Sequence, residues 1–194
     1  MSCLLNFDAV NQLMGKLRLF FWCKANSSHI SQEEILTDVA KSTLIPTAFV
    51  KLEHDGNLHE IRVMINTSRK VTAIAEELVQ KLKLPITYVK SSPIYKITIR
   101  SKTDPDWTIE INSVSRNELP KQPYDDNRSG EIVNEFDHLP LADPHFYNTA
   151  KVMMELGADV YSRLIKPEFF KSQNGNFIAQ DTALGFIVTG TNEV

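Results

Sequence analysis

The stretch of this chain best placed to do chemistry is Asn66-Thr67-Ser68. The apolar run Val63-Met64-Ile65 leads into it, and Arg69-Lys70-Val71-Thr72 leads out. The triplet carries one amide and two hydroxyls, and no acid. An amide donates and accepts hydrogen bonds, but it neither shares a proton with a carboxylate nor takes one from water at neutral pH. The nearby acids have simpler uses. Asp143 precedes Pro144 and Asp55 sits in His54-Asp55-Gly56-Asn57, so both read as turn formers. The histidines, His29, His54, His59, His138 and His145, are scattered. His54 and His59 flank one turn and could face each other, but two histidines without a third ligand make a poor zinc site. Cys3 and Cys23 form no Cys-x-x-Cys pair and read as free thiols in a reducing compartment. Neither a metal nor a cofactor is implied.

The elements around the triplet can be read from periodicity. Ile45 to Leu52 is a strand with Pro46 at its start or edge. Asp55-Gly56 makes the turn, and Leu58 to Ile65 returns as the second strand, so a hairpin delivers the triplet at its end. Thr72 is expected to cap a helix over Ala73–Lys83, with Ile74, Leu78 and Leu82 on its buried face and Leu84-Pro85 ending it. Two strands follow, Pro93–Arg100 and Trp107–Val114. In the first, Tyr95, Ile97 and Ile99 alternate with polar neighbours. Residues 115–135 read as a long loop. Phe177–Gln180 and Gly185–Gly190 read as two short strands. Upstream, Leu4, Phe7, Val10, Met14 and Leu17 mark one helix face, and Ser31-Gln32-Glu33-Glu34 fits a capping box. Two segments result: an N-terminal helical appendage over 1–42, and a mainly β domain over 43–194.

Composition narrows the function classes. The chain has 194 residues, 42% hydrophobic and 23% charged, which suits a globular protein. A net charge of −3 argues against broad binding to phosphate backbones and leaves room only for a local basic patch. Leu4 to Trp22 is interrupted by Asn6, Asp8, Lys16 and Arg18, so it does not read as a membrane span or a signal peptide. The protein therefore reads as intracellular, cytoplasmic or nuclear. Asn66-Thr67-Ser68 also fits the glycan acceptor pattern, which has no meaning in a chain that is not secreted.

Taken together, several stretches resemble the aspartic peptidase domain of BEL/Pao-type retrotransposon polyproteins, relatives of the retroviral proteases. The matching stretches are Thr47 to Ile65 with the loop at Asn66, Ala75-Glu76-Glu77-Leu78 and Leu139-Pro140-Leu141-Ala142-Asp143-Pro144-His145-Phe146. Leu156-Gly157-Ala158-Asp159-Val160-Tyr161 and the segment from Ile178 to Gly190 complete the set. The resemblance implies a retropepsin-like, partly closed β-barrel with two or three short helices. It also implies a homodimer with one catalytic loop from each subunit and a peptide or polyprotein segment as partner. In that family two loop aspartates share one proton, so that one activates water while the other donates to the carbonyl. Asn66 stands where the acid belongs and Ser68 where a glycine belongs. Thr67 keeps the family residue, whose hydroxyl bonds across the dimer. Gly157 and Asp159 would lie beneath the loop in a structural role.

Three functions compete. The first is a catalytically impaired peptidase-like module serving dimerisation or peptide binding. The second is an active aspartic endopeptidase that processes a retroelement polyprotein with an acid supplied by a partner chain. The third is a mainly β structural protein. The first is the reading that loss of both the acid and the glycine favours. Restoring Asn66→Asp and Ser68→Gly together is expected to be the least change that returns cleavage.

Overall fold

Two positive backbone angles set the first hairpin. Asp55 has φ 48° and Gly56 φ 74°, as a tight two-residue turn between twisted strands requires. The turn joins β2 (Thr47–His54) to β3 (Asn57–Ile65), which pair antiparallel from His54↔Asn57 to Thr47↔Met64. The structure, a computed structural model, describes residues 43–122 and 129–191. The expected appendage over 1–42, with its capping box, lies outside the described residues.

The remaining strands are β1 (Thr43–Leu44), β4 (Ala73–Ala75), β5 (Ile86–Val89), β6 (Ser92–Ser101) and β7 (Thr108–Arg116), followed by β8 (Met154–Leu156), β9 (Ile165–Lys171), β10 (Phe177–Thr182) and β11 (Ile187–Thr191). The helices are α1 (Glu76–Leu82), α2 (Ser129–Phe136) and α3 (Ala158–Leu164). The larger sheet runs β2-β3-β8-β4-β7-β6-β5, and β2 also pairs with β6. That last pairing closes six strands into a barrel and leaves β5 outside it. A second sheet runs β1-β11-β10-β9. The fold is mainly β with a closed barrel and short helices.

Alternation fills the barrel. Val50 and Leu52 point inward from β2, Ile97 and Ile99 from β6, and Ile111 from β7, all buried in one cluster with Met154. Each such side chain stabilises the fold by roughly 1.5–3 kcal/mol. A second cluster packs Leu44, Phe136, Phe146, Phe177, Phe186 and Val188 beside the smaller sheet.

Three local expectations need correction. Ala73–Ala75 is a strand, and the helix starts only at Glu76. β4 pairs parallel with β7 and antiparallel with β8, so tertiary hydrogen bonds override the four-residue spacing of Ile74, Leu78 and Leu82. Thr72 therefore caps no helix. α1 ends where Lys83 turns left-handed at φ 53°. The presumed loop over 115–135 loses its ends to β7 and α2. His59 sits opposite Leu52, and His54 opposite Asn57, so the two histidines are diagonal rather than paired.

β3 changes character along its length. Its first half is largely exposed, whereas Ile61 through Ile65 are buried without alternation. There β8 runs parallel beside it, Ile65 opposite Leu156, and both faces are covered. The outer face is covered through Arg62, which is 3% exposed. Its Nε donates to Asp143 Oδ2 at 2.6 Å, and its Nη groups donate to the carbonyls of Asn148, Ala150 and His145 at 2.6, 3.1 and 3.0 Å. One guanidinium thus pins the 143–150 segment to the strand that carries the triplet.

Candidate functional site

Asn66 follows directly on β3, and its N–H donates to the Leu156 carbonyl at 2.9 Å. The chain then loops over and returns as β4 on the other side of β8. β8 is therefore threaded between the two strands that the loop 66–72 connects. Arg69 O accepts from Ala158 N at 2.8 Å, and Thr72 Oγ1 accepts from Gly157 N at 3.1 Å. The Asp159 carboxylate accepts from Thr72 N at 3.1 Å and from Thr72 Oγ1 at 2.9 Å. A charged acceptor on a backbone N–H makes a strong bond. Thr72, fully buried, has its hydroxyl and its N–H both used in holding the loop down.

Gly157 is the contact point between loop and strand. A Cβ built there would stand 2.9 Å from Arg69 O and 3.0 Å from Val71 C, both backbone atoms. No side-chain rotation relieves such contacts, so the loop would have to lift. Gly157→Ala is expected to destabilise the domain by roughly 1–3 kcal/mol. Urea unfolding of the variant against the parent chain measures this.

Asn66 is held at both ends of its amide. Nδ2 donates to Glu155 Oε1 at 2.6 Å. Oδ1 accepts from Ser68 N at 3.1 Å and from Ser68 Oγ at 2.6 Å. The orientation follows from chemistry: a backbone N–H can only donate, so the oxygen must face Ser68. The other Glu155 oxygen, Oε2, accepts from Arg69 Nε at 2.8 Å. Glu155 is fully buried, while Arg69 is 35% exposed. The result is a continuous polar chain, Ser68 to Asn66 to Glu155 to Arg69. Each oxygen of Glu155 is thus engaged by a neighbouring side chain, and the carboxylate is buried away from solvent. Thr67 is exposed at the loop.

No family model matches the chain. No curated protein matches it. Among solved structures it is similar to a retropepsin-like aspartic protease from Rickettsia conorii, at 14% identity over 78% of this chain and 96% of that one, with a TM-score of 0.31. It is also similar to the retroviral protease-like domain of Ddi1 from Leishmania major, at 6% identity over 77% of this chain and 99% of that one, with a TM-score of 0.31.

The structure thus brings Asn66 and Ser68 together directly, and sets Gly157 and Asp159 under the loop. Asp143 does more than turn the chain. Its Oδ1 accepts from His145 N at 2.8 Å, as a turn former would, but its Oδ2 receives both Arg62 and Thr47 Oγ1, each at 2.6 Å. Two residues went unread in the sequence: Glu155 and Arg69. A glutamate inside Met153-Met154-Glu155-Leu156 is a signal in itself, because a carboxylate in a buried strand must find a partner. Nothing in the linear order names that partner, which lies more than eighty residues away. An open depression of about 480 Å³ lies beside the loop, with Asn66, Ser68 and Val114 among its lining residues. Among the described residues no helix is long and apolar enough to cross a membrane.

Proposed function

We propose that residues 43–194 are a retrotransposon-derived, BEL/Pao-type aspartic peptidase-like domain that no longer hydrolyses peptides. In this reading it serves inside the cell as a homodimerisation or peptide-binding module. The observation that carries the reading is the double engagement of the Asn66 amide. Its N–H needs an acceptor and finds Glu155; its oxygen needs a donor and finds Ser68. A carboxylate at this position would accept from Ser68 but could bond Glu155 only by taking up a proton. The surroundings are therefore fitted to an amide, and not merely left behind by a lost acid. The competing reading, an active endopeptidase, needs a free carboxylate. The nearest, Glu155, is buried and bonded through both oxygens.

Purified protein incubated with a mixed peptide library, and read by mass spectrometry between acidic and neutral pH, is expected to yield no new termini. Turnover that disappears on Asn66→Ala would overturn the proposal. Sedimentation of the same sample tests the dimer separately.

A further inference from the structure

The depression beside the loop has a charge pattern that its overall chain does not. Arg69, Lys70 and Arg116 all line it, and no acid lines it among the described residues. Arg69 gives its Nε to Glu155, which balances one of the three cations. Its Nη groups make no hydrogen bond among the described residues. Lys70 and Arg116 are exposed, and neither has an ion-pair partner among those residues. Two positive charges are thus unbalanced at one concave site, on a chain whose net charge is −3. A concave wall concentrates such a field, because the low-dielectric protein excludes water from one side of it.

The remaining lining says what kind of anion would fit. Val71, 45% exposed, and Val114 flank the cations, and the Asn66 and Ser68 side chains add polar atoms. At about 480 Å³ it is an open depression, broad enough to touch several groups of an extended ligand at once without enclosing it. A small inorganic anion would meet the charges but leave the valines and most of the space to water. A peptide bearing carboxylates next to an apolar residue would use both.

We propose that this cleft receives an acidic peptide segment, with Asp or Glu side chains paired to Lys70, Arg116 and the outer N–H groups of Arg69. A neighbouring apolar side chain would rest on Val71 and Val114. This rests on the peptide-binding reading above and names its partner class. Arg69 is restrained for the role, since its Nε bond to Glu155 limits the side chain's freedom and so reduces what is lost on binding.

The test uses the full chain and two fluorescein-labelled octapeptides that differ only in two central residues, Glu-Glu or Gln-Gln, each flanked by valine. Anisotropy is expected to show the glutamate peptide binding at least ~10-fold more tightly, with the advantage shrinking as salt is raised. The double variant Lys70→Glu/Arg116→Glu should lose that advantage. Lys70→Gln/Arg116→Gln, at the same exposed positions, gives a milder pair should the reversal disturb folding. Equal binding of the two peptides, or an advantage that survives both double variants, overturns the inference and leaves the peptide-binding reading standing. Binding of inorganic phosphate with neither peptide bound also overturns it, in favour of a free-anion site. Cleavage of either peptide in the same tubes sinks the underlying reading instead.

Discussion

Asp143→Ala is expected to cost the domain about 3–5 kcal/mol, the range for removing one partner of a buried ion pair. Arg62 is 3% exposed and the Asp143 side chain fully buried. Truncating the carboxylate leaves a guanidinium that cannot lose its proton and cannot reach water. The loss spreads, because Asp143 also accepts from Thr47 Oγ1 and His145 N. A double change to apolar residues, Asp143→Val with Arg62→Met, removes the stranded charge and should recover part of the loss. It should not recover all of it. Arg62 also donates to the carbonyls of Asn148, Ala150 and His145, and a methionine would give up these bonds, which tie the largely exposed 145–150 segment to the strand. Denaturant unfolding of the two single variants and the double variant gives the coupling. A double variant as stable as the parent would show that the carbonyl bonds contribute nothing. A single variant within about 1 kcal/mol of the parent would show the pair to be solvated.

How much of this was legible in the sequence differs from element to element. The hairpin turn was plain, because Asp55-Gly56 is a pair that tolerates positive φ and apolar alternation brackets it. β6 was plain for the same reason: Tyr95, Ile97 and Ile99 bury one face. β4 hides in the sequence because Ile74 keeps helical step with Leu78 while its backbone pairs in a sheet. β5 has no buried residue, so its four exposed positions carry no period to detect. β9 contains Pro167 and, among the described residues, pairs only with β10; a proline there suits an edge strand and hides it from a pattern built on alternation. At the site, the triplet's place after a strand was readable. The Asn66–Glu155–Arg69 chain was not, for its members meet only once β8 is threaded beside β3. Charge pairs across such distances in sequence leave no local trace.

Asn66→Asp with Ser68→Gly is expected to give no measurable peptidase activity, and adding Glu155→Leu is expected to be what reveals it. From the sequence, the two loop changes were the whole requirement; the structure adds a third residue. Glu155 Oε1 stands 2.6 Å from the Asn66 nitrogen, so a new carboxyl there would face a second one in hydrogen-bond contact. Two carboxylates at that separation cannot both be ionised, and they hold one proton between them. Glu155 Oε2 keeps Arg69 while Oε1 faces the new group, so the shared proton lies between the two carboxyls and ties the new one to its own chain. In the proposed homodimer it then could not share a proton with the matching group of a second subunit. Replacing Glu155 by leucine frees it, and Arg69, 35% exposed, can turn to water. General acid–base catalysis of this kind contributes about 10²–10⁴-fold, a margin that a fluorogenic peptide assay resolves. A second readout does not depend on activity. In N66D/S68G the trapped carboxyl has a folded-state pKa above its unfolded value, so the folded state binds more protons. Its contribution is fully present below the unfolded pKa and is lost as pH rises through the folded one, and stability relative to the parent should fall as pH rises through and above the ordinary carboxyl range. The triple variant should lose that slope. Activity in the double variant alone, or a flat stability difference across that range, would show that Glu155 does not hold the new acid.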